Sequence, residues 1–480
     1  MADEPSAALA ARDMLAAGGS AADAAVAASF TLAVSLPSSA GLGGGGSCLV
    51  WEKAKKAAQL LDMIEPAAPH GDVASPMLAR LLFALHARYG RQPWAQAVSP
   101  AEQLARFPQP ISRAQARELA VAPAAVLRVL AEQRLFVRAD GGVLEEGQPS
   151  AQVQLAATLG QIRARGAGVL YTGPVARELA QASAGKISLE MLSQTRPRWR
   201  EPAKVGFGDR TAYFTMEPER AGMLAARLLA LLGDGKSYEE TPEAERPHLL
   251  AEAMALAGRD LARDQMSRAG AVLSVYGRDQ ARSAMASYRA DRHASADSAG
   301  AEAPMPAPPI GSTSLVVTDR DGLTVACALS MNAPFGTGRA LPGFGFLTAP
   351  AEPKGEAAAA AVMVGTPDGD LLLAGASSGG SPGAAALDQV ALGVLADHLP
   401  VDRSIARPRL WHSGDADVLY DEALPAAIEE GLRRRGHRLL AAPALGRVNA
   451  LACPIGMARA MERCRLEADP RSNGIWVGGG

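Results

Sequence analysis

Pro304-Met-Pro-Ala-Pro-Pro-Ile-Gly-Ser-Thr-Ser-Leu-Val-Val-Thr318 joins two kinds of chain. A loose Ala/Pro tract ends at Gly311, and Ser312 and Thr313 open a β-like run, Ser314–Thr318. Such a junction suits a chain that cuts itself and exposes a hydroxyl residue as a new N-terminus. The cut needs an accessible approach, and the nucleophile needs a rigid strand beneath it. A residue freed in this way carries its own base, because an α-amino group titrates near ~8 and takes up the hydroxyl proton. Taken alone, the segment reads more readily as a linker before an ordinary strand.

Working outward, residues 290–309 are low in complexity, rich in Ala, Ser, Asp and Pro, and their composition predicts mobility. Upstream the pattern is helical: Ala7–Leu15, Ala21–Val34 after the N-cap Ser20, most of 76–192, then Ala221–Leu232 and Pro247–Arg263. Strands are expected at Ser47–Trp51, Ala57–Met63 and Thr211–Met216. Downstream, short strands alternate with Gly turns: Thr324–Leu329, Val362–Val364 and Leu371–Ala374, with helices at Gly383–His398 and Pro425–Arg435. Helix-rich and sheet-rich parts together predict an α/β (α+β) body in which helical layers cover packed central sheets.

Composition narrows the partners. The 480 residues are 48% hydrophobic and 20% charged, a globular balance with 4% aromatics, so Ala, Leu and Val must fill the core. Net charge is −2, and the densest basic cluster, Arg433–Arg438, suits a helix end better than a nucleic acid. No apolar run reaches the length of a membrane span, and Met1–Pro5 lacks the features of a signal peptide, which leaves cytoplasmic and periplasmic locations open. Cys48, Cys327, Cys453 and Cys464 show no CxxC spacing and are expected to be buried thiols. Seven scattered histidines show no paired-ligand pattern, so a metal site is not indicated; no organic cofactor is expected.

Two glycine segments carry more. Gly41–Gly46 matches GxGxxG but runs from helix to strand, the reverse of a dinucleotide fingerprint, and predicts a tight backbone crossing near a site. Gly375-Ala-Ser-Ser-Gly-Gly-Ser-Pro-Gly383 lies between strand and helix, where consecutive glycines can aim N–H groups at one point, as an oxyanion hole requires. Ser330 and Asn332 end the strand expected to pair with that of Ser312, within reach of it. Asp469-Pro-Arg-Ser472 reads as a structural turn or an ion pair.

Together these segments resemble the γ-glutamyltranspeptidase (glutathione hydrolase) family of N-terminal nucleophile hydrolases. The resemblance adds Gly18–Ala27, Leu61-Asp62 with Glu65, Leu170–Gly173, Ala251-Glu-Ala253 and Phe335–Gly338, in order and spacing. It implies a four-layer αββα sandwich, a large-subunit-like region 1–311 with a mobile tail 290–311, and a small-subunit-like region 312–480. It implies Ser312 as the nucleophile with Thr313 beside it, Ser330 and Asn332 in support, and Gly379 and Gly380 as the oxyanion hole. The implied substrate is a small-molecule amide or peptide, with water or an amine as acceptor. The two fragments would stay associated, with no nucleic acid and no membrane as partner. An acylase acting on a non-glutamyl amide, such as a β-lactam side chain, and a non-catalytic scaffold are the alternatives.

The departures concern substrate recognition. Where the family has Asp-Phe-Arg-Glu, whose Arg holds the substrate α-carboxylate, this chain has Asp62-Met-Ile-Glu65. The family's Asn-Asn-Gln-x-Asp-Asp segment, which grips the α-amino group, aligns with Ala349-Pro-Ala-Glu-Pro-Lys354, and its Ser-Ser pair falls near Glu356-Ala357.

Overall fold

The computed structural model describes residues 1–64, 72–138, 140–216, 220–235, 237–267, 275–294, 311–351, 358–414, 417–421 and 423–478. The tract expected to be mobile falls largely outside the described residues, as do Glu65, Lys354, Glu356, Ala357 and the side chain of Ile64.

The strand Ser312–Thr318 lies at the edge of a 5-stranded antiparallel sheet, followed in order by Thr324–Ser330, Gly45–Glu52, Ala57–Ile64 and Arg196–Arg200. A second, 6-stranded antiparallel sheet runs Arg465–Glu467, Arg447–Ala452, Leu371–Ser378, Ala359–Gly365, Arg210–Phe214 and Ala203–Phe207. Both sheets combine strands from before and after Ser312, so residues 1–311 and 312–480 are not separate domains.

Side chains alternate across a strand, and here both faces are dry. In the first sheet, Leu315, Val317, Val325 and Cys327 pack under the helices Pro5–Ala16, Ala21–Ser35 and Leu78–Tyr89. Their neighbours Val316, Ala326, Leu49 and Trp51 face the second sheet, meeting Ala361, Met363, Ala374 and Leu451. On the far side, Val362, Val364, Val448 and Ala450 pack under Arg220–Ala230, Arg246–Ser267 and Gly380–Leu395. Three cores separate four layers, which is the expected αββα sandwich. A small sheet of Leu410–His412, Asp417–Asp421 and Arg438–Ala442 flanks the second helical layer.

The four cysteines are not free thiols. Cys48 stands directly opposite Cys327 in antiparallel register, 4.1 Å apart at Cα, and the two form a disulfide. Cys453 pairs with Cys464 across the loop between the last two strands of the second sheet. The register that brings Cys48 to Cys327 spans 279 residues of sequence, so no local spacing announces it.

Candidate functional site

Ser312 begins its strand fully buried. It shares the parity of Val316, so its side chain faces the second sheet, where its hydroxyl donates to the Ala358 carbonyl at 3.0 Å and accepts from the Gly379 N–H at 3.1 Å. Gly380 N–H donates to the same Ala358 oxygen at 2.8 Å. Gly379 and Gly380 have φ of 99° and 65°, a left-handed turn that a side chain would strain. This turn links the strand Leu371–Ser378 to the helix Gly380–Leu395 and delivers both amides to the end of the strand bearing Ser312.

The carbonyl of Gly311, just before Ser312, is also held. It accepts from Met331 N–H at 2.9 Å and from the Ser330 hydroxyl at 3.2 Å. Ser330 is aimed by Asn332, whose N–H donates to its oxygen at 2.8 Å from a left-handed φ of 58°. Asn332 Nδ2 donates to Pro350 O at 3.1 Å. A Cβ on Gly311 would lie 2.5 Å from the Ala333 carbonyl carbon, so only glycine fits against the 333–334 backbone. The Gly41–Gly46 segment is the expected crossing: a Cβ on Gly44 would lie 2.3 Å from the Ser330 carbonyl oxygen.

The structure therefore gathers Ser312, Ser330, Asn332, Gly379 and Gly380. Thr313 is turned away, its hydroxyl donating to Asp3 Oδ2 at 2.9 Å. Asp3, which the sequence reading passed over, is a buried hub. Besides Thr313 it accepts from Ser314 N–H at 3.0 Å, Ser378 Oγ at 3.3 Å and Asn449 Nδ2 at 2.8 Å. It fastens the strand of Ser312 to two strands of the second sheet. Nothing in the local sequence around Asp3 signals this role, because all four donors come from residues beyond 312.

Two buried carboxylates prove architectural. Asp62 is gripped by Arg198 at 2.9 and 3.0 Å and by Arg200 at 2.6 Å, all within the first sheet. Asp469 holds the buried Arg409 at 2.6 Å and accepts the Val448 N–H at 2.9 Å, which makes the 469–472 segment a structural turn. Burial pulls the Arg409 guanidinium below its usual range, with the Asp469 carboxylate opposing the shift.

Chemically, the group offers a hydroxyl whose oxygen touches a preorganised N–H, beside a peptide carbonyl that two donors polarise. The family model described as Gamma-glutamyltranspeptidase matches residues 7–72 and 68–349 of this chain. The Glutathione hydrolase proenzyme of Pseudomonas aeruginosa is 28% identical, over 89% of this chain and 86% of its own length. The Acylase ACY 1 proenzyme of Pseudomonas sp. (strain V22) is 26% identical, over 94% of this chain and 88% of its own. Among solved structures, the cephalosporin acylase from Bacillus halodurans shares the fold with a TM-score of 0.80 at 21% identity, covering 100% of this chain and 95% of that one.

Proposed function

Because the chain belongs to the gamma-glutamyltranspeptidase family, we propose that it is a self-cleaving amide hydrolase or acyltransferase whose nucleophile is Ser312. The observation that carries this reading is the doubly held Gly311 carbonyl next to the Ser312 hydroxyl.

In the uncut chain, Ser312 Oγ adds to the Gly311 carbonyl carbon and releases its proton to water. The oxyanion that develops on Gly311 O is met by Met331 N–H and the Ser330 hydroxyl. Breaking the Gly311 C–N bond moves the proton to the departing nitrogen and leaves an ester on Oγ. Water cleaves the ester, giving a carboxylate on Gly311 and a free amino group on Ser312. That amino group then serves as the base that activates Oγ toward a substrate amide. Gly379 and Gly380 stabilise the substrate oxyanion. The Ala358 carbonyl oxygen, 3.0 Å from Oγ and 2.8 Å from Gly380 N, stands where a substrate acyl oxygen would bind and must yield to it.

The substrate in this reading is an amide whose acyl group lacks the γ-glutamyl zwitterion. Ile64 offers no charge to an α-carboxylate, and Ala349–Lys354 has the single acid Glu352 in place of the adjacent acidic pair that holds an α-amino group. Losing one partner of a desolvated charge pair costs about 2–5 kcal/mol, so losing several removes ordinary glutamyl recognition.

Intact mass spectrometry of the purified and fully reduced protein tests the cleavage. Fragments 1–311 and 312–480 are expected, and a single chain from Ser312→Ala; a new N-terminus at Thr313 would move the nucleophile. A panel of γ-glutamyl, glutaryl and fatty-acyl anilides tests the substrate. The highest kcat/KM on the γ-glutamyl compound, at an ordinary enzymatic value, would overturn the specificity reading.

A further inference from the structure

Four of the seven histidines, dispersed in sequence, meet beside the second helical layer, on elements that take no part in the Ser312 group. His248 and Glu252 are one helical turn apart on Arg246–Ser267. His412 ends one strand of the small sheet, His437 directly precedes another, and His293 lies on the segment just before residue 295. His248, His412, His437 and Glu252 are all buried.

The hydrogen bonds around these rings have a direction. His248 Nε2 lies 2.8 Å from the Arg289 carbonyl and must donate to it, which leaves His248 Nδ1 as an acceptor. His437 Nε2 lies 2.7 Å from that Nδ1 and therefore carries the proton between them. The remaining nitrogen of His437, Nδ1, is then a lone pair, buried, and among the described residues it meets no hydrogen-bond partner. His293 is set in the same way. Its Nδ1 is bound to the Glu252 carboxylate, whose other oxygen accepts the Ala294 N–H at 3.3 Å, so Nε2 is its free lone pair. A carboxylate or carbonyl fixing the outer nitrogen of a ring, so that the inner one is presented, is how proteins orient histidine ligands to metals.

Ligand atoms of His293, His412 and His437 lie within 4.8 Å of one another. A tetrahedral ion with bonds of about 2.0 Å would hold its ligand nitrogens about 3.3 Å apart, so the rings must draw inward, and His412 must release the Gly414 N–H that its Nδ1 accepts at 3.1 Å. Three imidazoles suit a borderline-soft cation and not magnesium or calcium, which take oxygen ligands.

We propose that His293, His412 and His437 bind one divalent transition-metal ion of the zinc class. Glu252 orients His293, while His248 and the Arg289 carbonyl orient His437. The site joins both sides of the Gly311–Ser312 bond. His293 comes from the stretch that leads toward the junction, and His412 and His437 come from beyond it, so the ion clips the end of the first part onto the second.

The test is metal titration of the tag-free full-length protein, stripped with a chelator and dialysed. One equivalent of Zn2+ per chain should bind, and Co2+ should give the intense visible absorption of a tetrahedral site. His293→Ala, at the least buried of the three ligands, should weaken Zn2+ binding further than Glu252→Gln, for which a loss of about 10- to 100-fold is expected. The Co2+ spectrum of Glu252→Gln reads the site even if His437→Ala fails to fold. Absence of stoichiometric Zn2+ binding, or binding and Co2+ absorption unchanged in His293→Ala, would overturn the proposal.

Discussion

Gly311 and Gly380 make opposite uses of having no side chain. Gly311 lets its carbonyl settle against Met331 and Ser330, so Gly311→Ala should push that carbonyl off its donors and slow or abolish self-cleavage while Ser312 remains intact, as a mass-spectrometric time course would reveal. Gly380 keeps an amide turned inward at positive φ, and Gly380→Val should cut amide turnover by about 10²- to 10³-fold in the folded, cleaved enzyme. A third residue concerns stability. Asp388 is fully buried on the helix that follows the glycine turn, and burial raises its carboxyl well above the usual range. The folded chain therefore keeps a proton that the unfolded chain loses above about pH 4, and this group lowers stability by about 1.4 kcal/mol per pH unit until the folded form also ionises. Asp388→Asn removes that dependence, so urea unfolding should show the variant gaining on the wild type as pH rises from 4 and matching it most closely in acid.

Among the elements, those with dry faces on both sides were easiest to read. Thr324–Leu329 and Leu371–Ala374 are short apolar runs between turn signals, and the structure extends them to Ser330 and Ser378. Arg196–Arg200 hid its strand behind three arginines and Pro197, a composition that reads as loop. It survives as a strand because it is the sheet edge, where a missing N–H is tolerated, and because Arg198 and Arg200 are spent on Asp62. The candidate site was legible where chemistry sits in local glycine and hydroxyl patterns, at Ser312, Ser330 and Gly379-Gly380. Asp3 was illegible, as was the histidine cluster outside that site, because the partners are separated by up to several hundred residues and only the folded chain brings them together. The layer between the sheets is the element on which the rest depends. Leu49 lies there, fully buried, and Leu49→Ala in the uncut Ser312→Ala background should cost about 2–5 kcal/mol in urea unfolding.

For the molecule as a whole, a cut at Gly311–Ser312 would leave both sheets built from two fragments, held by shared cores and by the bond between Cys48 and Cys327. Electrophoresis without reductant should show one species after cleavage, and with reductant the fragments 1–311 and 312–480. The disulfide also changes the order of the folding reaction. Before the cut, Cys48 and Cys327 close a ring in the chain, and the scissile bond lies inside it. Opening a ring at one point does not divide it, so the processed protein still unfolds and refolds as one particle, with a midpoint independent of its concentration. Reduced, the same processed protein becomes a two-body system whose midpoint falls on dilution, as for any complex that must reassemble.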